Sequence, residues 1–171
     1  FNFTIKEEAT FNLLNSSLES LWTYWLGTGN TTKSLNFANT TDGKSNYGFC
    51  FSPSDKTIYI SELNNYYKTG YDARTYLFSN TSKNNASGNI DLYLLATADS
   101  DVVTFTVINE FLSPVQSAEI RILRWDLITD TFYLVNTLTT GVSGTAGSNL
   151  RLNDAYYMFI VSVDGVVKLT T

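Results

Sequence analysis

Apolar and polar positions alternate along much of this chain, in short runs rather than long ones. "FNFTI" sets Phe1, Phe3 and Ile5 against Asn2 and Thr4. In "VVTFTVIN", Val103, Phe105 and Val107 share one face and Thr104 and Thr106 the other. "SAEIRIL" turns Ala118, Ile120 and Ile122 one way and Glu119 and Arg121 the other. A period of two is the mark of a strand with one buried face, and no window of ten or more residues carries the i, i+3, i+4, i+7 stripe of a helix. Further strands are expected at "ATFNLL", "LESLWTYWL", "YGFCFS", "TIYIS", "ARTYLFS" and "NIDLYLLA", separated by loops rich in Asn, Ser, Thr and Gly. "TFYLVNTL" and "AYYMFIVSV" are apolar on both faces, the second reading as a central strand. Asp164-Gly165 predicts a two-residue hairpin turn into a last strand, "VVKLTT".

The polar step "TADSD", Thr97 to Asp101, divides this pattern. The expected fold is all-β: two tandem Ig-like, prealbumin-like antiparallel β-sandwich units, residues 1–96 and 97–171. A single larger sandwich is the alternative. About six short strands in the second part match the rhythm of a sandwich.

"TTGVSGTAGSNLRL" interrupts the pattern with Gly141, Gly144 and Gly147. A phosphate-cradling loop leads into a helix whose N–H groups complete the cradle. Here Leu150 and Leu152 alternate as in a strand, and no Gly-Lys-Ser/Thr is present. The glycines are read as a turn between strands.

The second part resembles the carboxypeptidase-regulatory-like domains, prealbumin-like β-sandwiches related to the CnaB modules of surface proteins. The resemblance is carried by "VTFTVINEFLSPVQSAEIRIL", "TLTTGVSGTAGSNLRL" and "AYYMFIVSVDG", with Pro114, Ala118, Thr140, Gly144, Ala146, Tyr157 and Gly165 at the family's marked positions. It covers about 70 residues, and the first part looks like a more diverged module of the same kind. The resemblance implies a scaffold of the sort found in extracellular surface proteins, filaments and viral fibres. Many CnaB-like domains carry a Lys–Asn isopeptide with a nearby acid. Glu119 stands where that acid would be, but the matching first strand has no lysine and the last no Asn or Asp. No isopeptide is expected, and Glu119 is read as an exposed strand residue opposite a basic neighbour.

Composition narrows the chemistry. The chain of 171 residues is 43% hydrophobic but only 16% charged, with a net charge of −5. It can bury a core, and no basic run exceeds two residues, so no nucleic-acid partner is expected. Apolar runs are too short to insert in a membrane. "FNFTIKEE" has neither the basic nor the apolar region of a signal peptide. There is no histidine, which removes Ser-His-Asp and Cys-His catalysis and histidine metal sites. No catalytic residue, cofactor or enzyme activity is expected. The lone Cys50 is read as a small buried core residue.

The remaining candidates concern binding. Asp99 and Asp101 are the candidate calcium ligands, with Asp126 and Asp130 a second close pair; turn roles are the simpler reading of all four. Trp22, Tyr24, Trp25, Tyr66 and Tyr67 form a candidate aromatic patch for sugar stacking or for an interface, with burial in the core as the competing reading. Six Asn-x-Ser/Thr sequons, at Asn2, Asn15, Asn30, Asn39, Asn80 and Asn85, would carry glycans in a glycosylating pathway. Alternation from the first residue also makes "FNFTI" a candidate for strand exchange between subunits, against pairing within its own domain. Together these readings predict a non-catalytic structural protein at an extracellular, cell or virion surface. It would be a filament, surface-layer or fibre subunit that self-assembles through β-strand edges. The alternative is a carbohydrate-binding adhesion module with glycan partners.

Overall fold

Short alternating runs with few helix formers favour strands throughout, and the computed structural model is all-β. It describes residues 1–27, 29, 31–53, 55–83, 88–153 and 155–171, without the side chain of Asn80. Apart from strands, the described residues hold one short 3-10 turn, Thr97–Asp99. The chain divides into two compact units, Phe1–Leu94 and Leu95–Thr171, two residues from the division expected at 96/97. In each unit, two sheets face one another across apolar side chains in a sandwich-like arrangement.

The first unit has seven strands: β1 (Asn2–Glu7), β2 (Ser16–Leu26), β3 (Lys33–Lys44), β4 (Asn46–Gly48), β5 (Ile58–Tyr67), β6 (Arg74–Lys83) and β7 (Asn89–Leu94). One sheet has the order β4-β1-β7 and the other β3-β2-β5-β6. "FNFTI" therefore lies in the middle of its own sheet, antiparallel to β4 and parallel to β7. Alternation sends Phe3 and Ile5 fully into the core. Trp22 from the facing sheet meets Phe3 at 6.0 Å and Phe49 at 4.9 Å between ring centres. Rings of this size supply most of the area this core removes from water.

The second unit has β8 (Asp101–Thr106), β9 (Glu119–Asp126), β10 (Thr131–Thr139), β11 (Thr145–Leu150), β12 (Tyr157–Val163) and β13 (Val166–Thr170). A four-stranded sheet, β10-β9-β12-β13, faces a two-stranded one, β11-β8. Ala118, Ile120 and Ile122 are buried as their alternation requires. Phe105 of β8 packs on Phe159 of β12 at 5.2 Å, and Asn136 Nδ2 donates to Ser148 Oγ between the sheets at 2.9 Å. Asp164 and Gly165 both take positive φ, 51° and 75°, as a tight hairpin turn demands.

The glycine-rich stretch divides its labour. Only Gly144 of the three has positive φ, +70°. A Cβ there would stand 2.6 Å from the Val107 carbonyl oxygen and 3.0 Å from Pro114 Cβ. Glycine is needed both for the conformation and for the close approach. Gly147 lies inside β11, opposite Thr104, with open space around it. Thr140 fastens the same turn: its hydroxyl donates to the Val115 carbonyl at 2.7 Å and accepts the Ala118 N–H at 2.9 Å.

Three expectations need correction. "ATFNLL" is no strand; apart from an isolated Lys6–Leu13 bridge, the chain turns after Glu7, closed by Phe11 N–H to the Glu7 carbonyl at 2.9 Å. The cause is distant: Glu8 turns inward to an ion pair with Arg74. Conversely, "KSLNFANTTDGK" reads as loop but forms β3, an edge strand along β2 that is mostly exposed and so shows no apolar alternation. Cys50 is exposed, because Tyr47 and Phe49 take the inward positions of their run.

Candidate functional site

The first unit's core is unusual in its polar content. Alternation along β5 points Ile58, Ile60, Glu62, Asn64 and Tyr66 inward, and all five are buried. Near one end of this face Arg74 is ion-paired with the fully buried Glu8 and donates to the Tyr93 carbonyl at 3.3 Å. A buried pair of this kind fixes an arrangement more than it stabilises one, since desolvation offsets most of the attraction. Glu62 sits between Trp22 of β2 and Phe78 of β6 in register. Burial pushes its carboxyl up to about 8, the Asn64 side chain pulling back only in part. It is therefore held neutral at pH 7. Asn64 in turn accepts from the Ser20 hydroxyl. These groups are shut off from solvent.

The candidate aromatic patch separates into two classes. Trp22 and Tyr66 are fully buried and leave the patch: both belong to the inward face, and burial raises the Tyr66 phenol well above its usual range. Tyr24, Trp25 and Tyr67 are half-buried. Tyr67 donates to Glu19 Oε1 at 3.0 Å. Trp25 stacks on Tyr59, 5.6 Å apart and 9° from parallel. At the β2–β3 end, Tyr24, Trp25, Leu26, Thr31, Lys33 and Ser52 line a hollow of about 230 Å³.

The candidate calcium ligands Asp99 and Asp101 line a polar hollow of about 310 Å³ in the second unit, together with Arg151 and Asn153. A guanidinium in the same hollow works against a divalent cation, and no cluster of three acidic or other metal-ligating side chains exists among the described residues. Asp126 has a turn role: it accepts from the Ile128 N–H at 2.9 Å and the Thr129 hydroxyl at 2.7 Å, and these bonds lower its pKa, the hydroxyl first. Glu119 is half-buried between Thr139 and Ser162, so the neighbours in its pairing are neutral rather than basic.

Of the sequons, Asn2 and Asn15 are exposed and Asn39 is half-buried. Asn2 donates to Asn89 Oδ1 at 3.2 Å. Asn39 Oδ1 accepts both the N–H and the hydroxyl of Thr41, at 3.1 and 2.8 Å. Asn30, Asn85 and the side chain of Asn80 lie outside the described residues.

Sequence reasoning missed the apolar surface of the second unit. The loop after β8 presents Phe111 and Leu112, 78% and 77% exposed, and the β9–β10 turn presents Leu127 and Ile128, 78% and 90% exposed. Both loops are built rather than loose. Asn109 Oδ1 accepts the N–H groups of Phe111 and Ser113 at 2.9 and 3.0 Å, holding Leu112 at φ 58°; Asp126 does the same service for Ile128. The legible signal was an Asx residue two positions before an apolar residue, Asn109 before Phe111 and Asp126 before Ile128. Beside them, β8 is paired on one edge only among the described residues, by β11, in unbroken register. β13 is likewise an edge strand, with Val166, Val167 and Leu169 each more than half exposed. Its register is broken at Val161/Ser162, which leaves Lys168 out of the pairing.

Compared with known proteins, the chain matches no family model, no curated protein and no solved structure.

Proposed function

We propose that this chain is a non-catalytic structural subunit of an extracellular filament, surface layer or viral fibre, assembling through β-strand edges of its second unit. One observation carries the reading: a two-stranded sheet faces a four-stranded one, leaving β8 with an unpaired edge and the β13 side chains exposed. A flat edge of this kind is a template for another strand. β13 is partly blunted by its bulge and by Lys168, both devices that discourage pairing. β8 has neither, with Val102 79% exposed beside exposed Thr104 and Thr106. Of these two edges, β8 is the one we propose for assembly. The prealbumin-like resemblance of this unit supports the same reading, since such modules commonly serve as surface scaffolds. "FNFTI" pairs with β4 and β7 within its own unit, so the proposed assembly rests on β8 instead.

Electron microscopy and sedimentation of the full chain test this. Ordered oligomers or filaments, lost in Thr104→Lys, are the expected result. A chain that stays monomeric at every concentration overturns it.

A further inference from the structure

We propose that Ser20 and Asn64 join in a spontaneous ester cross-link between β2 and β5, formed with loss of ammonia and with Glu62 carrying the protons. This concerns the interior of the first unit and does not rest on the assembly reading.

The first argument is placement. Ser20 and Asn64 stand directly opposite one another in the β2–β5 register, 44 positions apart in the chain. Glu62 lies two residues before Asn64 on the same inward face of β5. All three are buried. The Ser20 hydroxyl donates to Asn64 Oδ1, which sets a nucleophilic oxygen against a carboxamide. Two reacting groups held in contact by a sheet have already met the entropic cost of coming together. The core also keeps out the water that would hydrolyse an ester.

The second argument is what these groups lack. Among the described residues, Asn64 Nδ2 and both carboxyl oxygens of Glu62 have no hydrogen-bond partner. Buried polar atoms left in that state destabilise a fold. The reaction disposes of the orphan donor. Ser20 Oγ attacks Asn64 Cγ; the Ser20 O–H and Asn64 Cγ–Nδ2 bonds break, and an Oγ–Cγ bond forms. Glu62, held neutral by burial, gives its proton to the departing nitrogen and takes the hydroxyl proton in exchange. It ends as it began, the nitrogen leaves as ammonia, and no electrons change hands. A neutral carboxylic acid suits this exchange because it both donates and accepts.

The second unit supplies the contrast. Asn136 Nδ2 donates to Ser148 Oγ, and Asn136 Oδ1 accepts the Thr137 N–H. Both ends of that carboxamide are used, and no acid is buried in that unit among the described residues. This pair is expected to stay unlinked.

The test is mass spectrometry of the full chain made in a host that adds no sugar. The intact chain is expected to be lighter than its sequence by one ammonia, about 17 Da. Trypsin cuts after Lys and Arg, so the link should join the peptides 7–33 and 57–68, while peptide 125–151, which holds Asn136 and Ser148, keeps its full mass. Ser20→Ala and Glu62→Gln should each restore the full intact mass. A parent chain of full mass, with 7–33 and 57–68 recovered as separate peptides, overturns the proposal whether or not the variants fold. So does a deficit that survives in Ser20→Ala, which would assign the lost ammonia to another asparagine. A link that forms as completely in Glu62→Gln as in the parent overturns the part given to Glu62.

Discussion

The two units use their apolar side chains in opposite ways. Among the described residues, twelve buried hydrophobic residues belong to the first unit and six to the second; of the large hydrophobic residues left exposed, four belong to the first and thirteen to the second. The first unit closes on itself around stacked rings and even encloses charged groups. Its β3 edge is long and polar, with Lys33, Asp42 and Lys44, a composition that discourages pairing with another chain. The second unit has a thinner core and puts its apolar side chains on ordered loops and edge strands. Exposed apolar patches of this extent mark contact surfaces. Under the proposed reading, the first unit supplies stability and the second supplies association.

The sharpest way to break that comparison is Trp22→Ala. Trp22 touches Phe1, Phe3, Phe49, Phe51 and Phe78, and its removal should cost the first unit about 4 kcal/mol. Hydrogen exchange read by peptide should accelerate across β1, β2 and β5 and not across β9 and β12. Next comes Gly144→Ala, expected to cost the second unit about 3 kcal/mol through strained φ and the clash with Val107 and Pro114; exchange should then accelerate in β8, β9 and β11 alone. If either substitution loosens both units equally, the division of labour fails.

Glu62 gives a pH-dependent effect. Its pKa is raised from about 4.5 to about 8 in the fold by burial. The protonated form is thus favoured in the folded state, and its contribution is fully present below pH 4.5. As pH rises from there the unfolded chain ionises while the fold stays neutral, and stability falls until about pH 8. Denaturant melts between pH 5 and 8 should show this slope in the first unit, and Glu62→Gln should flatten it. An unchanged slope in the variant would assign the pH dependence to other groups. The smallest effect on folding is that of Thr104→Lys, within about 0.5 kcal/mol of the parent as an exposed substitution, although it should abolish assembly.

Much of the fold was legible where one face of a strand is buried. Phe3 and Ile5, and Ala118, Ile120 and Ile122, sit where a period of two places them. The same rule, applied strictly to "YGFCF", would have turned Cys50 outward. β3 was not legible because an edge strand with little burial has no reason to alternate. The turn at Glu8 was hidden for another reason: its partner Arg74 is far along the chain, and nothing local announces a buried ion pair. The site was legible in part. Alternation separates Trp22 from Trp25, but which of the two faces is covered depends on the opposing sheet. The exposed pairs Phe111-Leu112 and Leu127-Ile128 passed as ordinary strand-flanking residues, because apolar side chains look the same in sequence whether they fill a core or leave it.

The most direct measurement of the division between the units is amide hydrogen exchange of the full chain across a concentration series. Protection should rise with concentration in β8 and in the Phe111 and Ile128 loops, while β1, β2 and β5 stay constant. Exchange in β8 that is independent of concentration, in a chain that sediments as a monomer throughout, would contradict the assignment of association to the second unit.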